Sequence, residues 1–279
     1  KACILGEISE DHDNNALAMI LTYSPNHYDK QMAAKALNGK KELTVLAEQL
    51  MTDPHHTLRS IGIENAAEEL MPTIKTMITQ DPHSSVRTKA LQRYSNSVGE
   101  NVLPLAEQVL QNEQAYTTVI AAHNIIAAYD PDKGMQFAET LMEDKSPTMA
   151  GHLTSFLAET GNLKYLPYVE ANLINVSFYK MFYVYGKYTD LLLQETPENI
   201  MARVNKLTTQ ASSGDNIYRR YLATNTLNSI NNHFSNMGEN LNEKDKSDND
   251  DRISKLTETI KTIVDNETDQ SLLEMYGRL

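Results

Sequence analysis

The sequence contains one cysteine, Cys3, among its 279 residues. A single thiol excludes a disulfide within the chain, and it also excludes a zinc cluster built from cysteines. It does not determine the compartment, so a cytoplasmic and a periplasmic location both stay open.

Long apolar runs and an excess of basic residues are also missing. No run of about 18 apolar residues exists, so the sequence predicts no membrane span. Lys and Arg total 25 against 37 Asp and Glu, which gives a formal net charge of -12. Because non-specific nucleic-acid binding depends on clustered Lys and Arg, this balance argues against a nucleic-acid partner.

The chain has only nine prolines, and each can be placed in the first turn of a predicted helix. Proline has no amide hydrogen to leave unpaired there. No proline then remains for a helix interior or a strand. Six of them follow a residue that is a typical helix cap: Ser24, Asp53, Asp81, Asp130, Ser146 and Thr196.

Two stretches with nearly the same sequence lie 28 residues apart, DPHHTLR at residues 53–59 and DPHSSVR at residues 81–87. We expect Asp53 and Asp81 to cap helices that begin at Pro54 and Pro82. Arg59 and Arg87 would then lie more than one turn inside, within reach of the capping Asp of their own or a neighbouring unit. Their repetition with the fold favours a structural role over a functional one.

Between these starts the apolar residues follow helical spacing, and no stretch alternates as a strand would. Asp-Pro helix starts that recur at a fixed period are typical of stacked repeats. The sequence therefore predicts an all-α fold, an α-solenoid of about eight HEAT-like helical hairpins. The predicted pairs are 1–24, 29–52, 54–80, 82–112, 115–143, 147–174, 177–212 and 215–266.

We interpret residues 1–279 as a single domain with special ends, since the terminal repeats of such arrays are atypical. Residues 1–28 are the predicted N-terminal capping pair, and 29–212 are the regular repeats. Residues 213–279 are an atypical C-terminal pair with an acidic loop at 237–251.

Four segments carry a narrower resemblance: AYTTVIAA at 115–122, YDPDKG at 129–134, AETGNLKYLPY at 158–168 and YGKY at 185–188. They resemble the carboxy-terminal helical domain of zinc aminopeptidases of the alanyl aminopeptidase and leukotriene hydrolase family, in its bacterial branch. The resemblance covers residues 51–189. It implies a HEAT-like domain that packs on a catalytic domain and helps enclose a peptide-binding cavity.

The catalytic signature of that family is absent from these residues, since no His-Glu-x-x-His occurs. The resemblance therefore implies a non-catalytic portion, with no catalytic, cofactor-binding or metal residue and with zinc only in an upstream peptidase domain. Lys1 leads straight into Ala2 without an initiator Met, so we interpret the start as a cut inside a larger protein or a processed end. The expected partners are that upstream domain and, through the cavity, a peptide substrate.

Two clusters invite a functional interpretation. His55, His56 and His83 recur at matching positions and could hold zinc, but solvated first-turn side chains are the favoured interpretation. The segment around residues 178–188 is aromatic over more than a core face requires. Phe178, Phe182 and Tyr185 fit one helical stripe, while Tyr179 and Tyr183 fit an adjoining stripe that would contact a partner, the alternative being packing between repeats.

Two functions stay open at this point. One is the non-catalytic domain of a zinc aminopeptidase-like protein, and the other is a free-standing scaffold that binds a protein or a peptide. The presence of His-Glu-x-x-His upstream of Lys1 separates them.

Overall fold

The computed structural model describes residues 11–214, 216–238 and 242–277. These residues form helices and no strand, which confirms the all-α class. The chain divides into two compact units, Lys1–Thr140 and Leu141–Leu279. The single domain predicted for 1–279 stays a prediction, and so does the capping pair at 1–28, of which residues 1–10 lie outside the described ones.

From residue 27 onward, the helices of unit 1 coincide with the predicted pairs to within a few residues, while residues 1–10 of the pair 1–24 lie outside the described ones. The helices are α1 (Asp11–Tyr23), α2 (His27–Ala36), α3 (Lys41–Met51), α4 (His56–Asn65), α5 (Met71–Gln80), α6 (Ser84–Val98), α7 (Leu103–Asn112), α8 (Tyr116–Tyr129) and α9 (Pro131–Leu141).

The helices of unit 1 pack in a repeating order. Helix α3 packs on α4, α5 on α6, and α7 on α8, while α4 lies beside α6 and α6 beside α8. The first three of these contacts join the second helix of one predicted pair to the first helix of the next, and the last two join the first helices of successive predicted pairs. Ile63, Ile74 and Val86, from successive helices, are fully buried in one shared apolar cluster.

Helices α5 and α7 begin where their prolines predict. Pro72 and Pro104 are the second residues of these helices, and each helix follows a short 3₁₀ turn, Glu68–Leu70 or Gly99–Val102. The missing amide of proline costs nothing at this position because no carbonyl precedes it in the helix.

The predicted caps at Asp53 and Asp81 are wrong. Helices α4 and α6 begin two residues later, and their N-caps are His55 and His83, whose side chains accept hydrogen bonds from the amides of Thr57 and Ser85. The aspartates instead accept from the amides of His55 and His83, both at 2.8 Å. They fold the chain into a turn before the helix, which an Asp side chain does as readily as it caps.

Unit 2 is also helical. It contains α10 (Pro147–Glu159), α11 (Leu166–Asn172), α12 (Phe178–Leu192), α13 (Pro197–Ser213), α14 (Ile217–Met237), α15 (Glu243–Asp265) and α16 (Gln270–Tyr276). Helix α10 packs on α11 and α12, α12 lies beside α14, and α14 also contacts α13, α15 and α16.

The acidic loop predicted at 237–251 is largely wrong. Met237 ends α14, residues 239–241 lie outside the described ones, and residues 243–251 are the first turns of α15. The Asn242 side chain caps this helix by accepting from the amide of Asp245 at 3.0 Å. Carboxylates in a first turn are stabilised by the partial positive charge of a helix N-terminus, so acidic composition here starts a helix.

Candidate interaction surface

Charged side chains link the starts of alternate helices in unit 1, from α2 to α4, from α4 to α6 and from α6 to α8. Arg59 donates two hydrogen bonds to Asp81, from Nε to Oδ2 at 2.7 Å and from Nη2 to Oδ1 at 2.9 Å. Its Nη1 also donates to the backbone carbonyl of Asp53 at 3.0 Å. The sequence left open whether Arg59 pairs with the Asp before its own helix or with the Asp before a neighbouring helix. The carboxylate that it binds is that of Asp81, which precedes α6.

The same arrangement recurs on both sides. Arg87 donates to Glu113 through Nε at 2.6 Å and Nη2 at 2.8 Å, and Lys30 lies 2.8 Å from Asp53. Each base is the fourth residue of its helix, and each acid lies two residues before the next N-cap. Lys30 and Glu113 do not belong to a repeated Asp-Pro and Arg motif, so the sequence pattern did not reveal them. The links require only a base at the fourth residue of one helix and an acid two residues before the N-cap of the other.

Unit 2 contains one further link of this kind. Arg220 is the fourth residue of α14, and Glu267 lies two residues before Asp269, the N-cap of α16. The guanidinium of Arg220 donates to the Glu267 carboxylate, which also accepts from the amides of Thr268 and Asp269 at 2.8 Å each.

The acids of these links are held in the charged form. Burial acts to raise the pKa of Asp81, but hydrogen bonds from Arg59 and from the His83 amide outweigh it, so the pKa lies below its usual range. Hydrogen bonding by Arg87 lowers the pKa of Glu113. Because the Arg59 and Arg87 guanidinium groups each donate two hydrogen bonds to a carboxylate, these pairs fix one helix start against another.

Four histidines of unit 1 form a stack. Ring centroids are 4.4 Å apart for His27 and His55, 4.9 Å for His55 and His56, and 3.7 Å for His56 and His83. Stacked rings present their faces to one another, whereas a metal is bound through ring nitrogens in the ring plane. Among the described residues no group of three His, Cys, Asp or Glu side chains is arranged to hold a metal ion.

The aromatic segment of α12 divides into a buried part and an exposed part. Tyr185 and Tyr188 are each 1% exposed. The exposed part, here called the aromatic surface, consists of four residues whose exposed fractions are 49, 95, 45 and 50%: Phe178, Tyr179, Phe182 and Tyr183. Residues three and four positions apart on a helix are neighbours, and the ring centroids of Phe178 and Tyr179 are 5.9 Å apart, so these side chains form one continuous patch.

The outcome differs for the two predicted stripes. Tyr179 and Tyr183 are exposed, as a contact stripe requires. Phe178 and Phe182, placed by the sequence in a stripe with Tyr185, lie about half exposed beside Tyr218 of α14, at ring-centroid distances of 5.1 and 6.0 Å. The helical period gave the relative angles of these residues but not the position of α14.

A groove of about 350 Å³ opens between α12 and α14, next to the aromatic surface. Phe182, Tyr221, Asp190 and Asn225 are among its lining residues, and Gly186 lies on its α12 side. Its floor includes Thr189 and Thr226, whose hydroxyl oxygens are 3.0 Å apart. Sequence reasoning missed this groove because its two walls lie far apart in the chain.

No helix within the described ranges is long and apolar enough to cross a membrane. No protein-family model, curated protein or solved structure matches this chain.

Proposed function

We propose that this chain is a non-catalytic helical-repeat module that binds another folded domain through the aromatic surface of α12. Its helices are proposed to form a HEAT-like α-solenoid. The alternating order of packing in unit 1 and the recurrent links from a fourth helix residue to the next helix start support that arrangement. Stacked repeats bury one another's apolar faces and need no shared central core.

The observation that carries the binding role is the exposure of Tyr179 at 95%, in a patch with three other exposed aromatic side chains. Fully burying a large apolar side chain contributes about 1.5 to 3 kcal/mol, so these exposed aromatic side chains leave part of that free energy unused. Protein interfaces are enriched in tyrosine and phenylalanine, whose rings bring apolar area at low cost in conformational entropy.

The resemblance suggests the partner. We expect it to be the catalytic domain of a zinc aminopeptidase-like protein, upstream in the same chain, with zinc bound in that domain and the peptide substrate enclosed between the two. An open reading frame that encodes His-Glu-x-x-His before Lys1 is required by this proposal.

The binding role is tested by the double variant Tyr179→Ala/Tyr183→Ala. We expect its association with the separately produced upstream domain to weaken at least tenfold by calorimetry, with little change in its own melting temperature. Tyr23→Ala is the matched control, because Tyr23 is also exposed but lies in unit 1. Unchanged association, or loss of folding by the double variant, would contradict the proposal.

The second candidate is a free-standing scaffold that binds a protein or an extended peptide. The groove between α12 and α14 favours it, since such a groove accepts single side chains. A stop codon or an unrelated domain upstream of Lys1 would select this function over the first.

A further inference from the structure

The groove between α12 and α14 is open because a side chain is missing from its wall. Gly186 belongs to α12, and a Cβ built on it would have no neighbouring atom within 4 Å. Glycine inside a helix costs about 0.5 to 1 kcal/mol relative to alanine. Here the missing side chain leaves open space on the α12 side of the groove, which Phe182 and Tyr221 also line.

The floor of the groove has no unsatisfied hydroxyl. The Thr189 hydroxyl donates to the Tyr185 carbonyl at 2.9 Å, and the Thr226 hydroxyl donates to the Leu222 carbonyl at 3.0 Å. Both floor hydroxyls therefore already donate their hydrogens inside the fold, and further polar recognition is left to the rim.

One charged side chain lines the groove among the described residues, and it is Asp190. Its carboxylate has no hydrogen-bond or ion-pair partner within the described part of the chain. Lys187 precedes Asp190 by three residues on α12, and its ammonium lies 5.7 Å from the Tyr183 ring centroid. The groove thus offers an uncompensated negative charge beside two aromatic rings.

We propose that this groove binds a basic side chain, arginine or lysine, presented by an extended segment of the protein that α12 contacts. The aliphatic stem would pack between Phe182 and Tyr221, with the cation near their ring faces and beside the Asp190 carboxylate. This inference specifies the chemistry of the partner and rests on the proposed function of α12 as a contact surface.

The test uses two peptides that differ only in charge, acetyl-Ala-Arg-Ala-amide and acetyl-Ala-citrulline-Ala-amide. Each is titrated into the full chain while amide NMR shifts are followed. We expect the arginine peptide to shift signals of α12 and α14 and to bind about three- to fivefold more tightly than the citrulline peptide, the range of a solvent-exposed ion pair.

Two variants connect the preference to the groove. Asp190→Asn should abolish the difference between the peptides, whereas Asp132→Asn, a control at another exposed aspartate, should preserve it. Gly186→Leu should fill the groove and stop both peptides from binding while keeping or raising the melting temperature.

Equal binding of the two peptides, no binding, or an unchanged preference in Asp190→Asn would overturn the inference. None of these results bears on the association measured with Tyr179→Ala/Tyr183→Ala, so the two proposals fail separately.

Discussion

Protonation of His56 would place a positive charge between His55 and His83 and close to Arg59. Burial is the largest cause that lowers its pKa, followed by the nearby His83, His55 and Arg59. The fold therefore favours the neutral ring. The stabilisation is fully present above the unfolded value near 6.5 and is lost as the pH falls through the lowered folded value.

We expect the melting temperature of the chain to fall between pH 7.5 and pH 5.0, and to fall less in His56→Gln, which cannot be protonated. Thermal melts at both pH values measure this difference. His233→Gln, in unit 2, is the control and should keep the full pH dependence. The same loss in His56→Gln as in the unaltered chain would show that the stack is not responsible.

At the same scale, the sequence did not reveal which atoms the repeated charged residues contact. Arg59, Arg87, Asp53 and Asp81 were identified as structural positions, and the structure gives each an ion pair. The partner of Arg87 turned out to be Glu113, because the side chain reaches the next helix start, which only the packing of α6 beside α8 brings close.

At the scale of the helix, two glycines occupy opposite environments. A Cβ on Gly62 of α4 would lie 2.7 Å from the Ala47 carbonyl oxygen and 2.7 Å from the Met51 amide nitrogen, both in the backbone of α3. Gly62 is thus required for the close approach of α3 and α4. Gly186 of α12 has open space instead.

Substitution by alanine should therefore change the free energy of unfolding in opposite directions at Gly62 and Gly186. We expect Gly62→Ala to lower the free energy of unfolding by about 1 to 3 kcal/mol, because backbone atoms must move apart. Gly186→Ala should raise it by about 0.5 to 1 kcal/mol, since alanine is the better helix former. Denaturant titration of both variants gives the two values, and a shift of the same sign would contradict this account of the packing.

At the scale of the whole molecule, a solenoid is distinguished from a single central core by how far a perturbation spreads. In stacked repeats each unit contacts mainly its neighbours, so damage stays local. In one cooperative core, damage at any point destabilises the whole.

The variant Arg87→Ala distinguishes a solenoid from a single central core. Removing two charge-assisted hydrogen bonds to Glu113 should cost about 2 kcal/mol and lower the melting temperature. Hydrogen exchange should accelerate in α4, α6 and α8 and stay unchanged in α14. Lys89→Ala, on the same helix but with an exposed partner at 3.4 Å, should change little. Uniform acceleration along the chain would contradict the solenoid.

The sequence by itself determined where most helices lie, because helix starts depend on local interactions: proline in the first turn, a side chain that accepts an amide, and apolar residues at helical spacing. The sequence predicts a loop where the first turns of α15 lie, because acidic composition alone does not distinguish a loop from a well-capped first turn. Only the tertiary structure decided that the histidines stack, that Arg87 pairs with Glu113, and that Phe182 borders a groove. Each of these depends on residues from different helices meeting at a distance of a few ångströms, and that distance is set by packing.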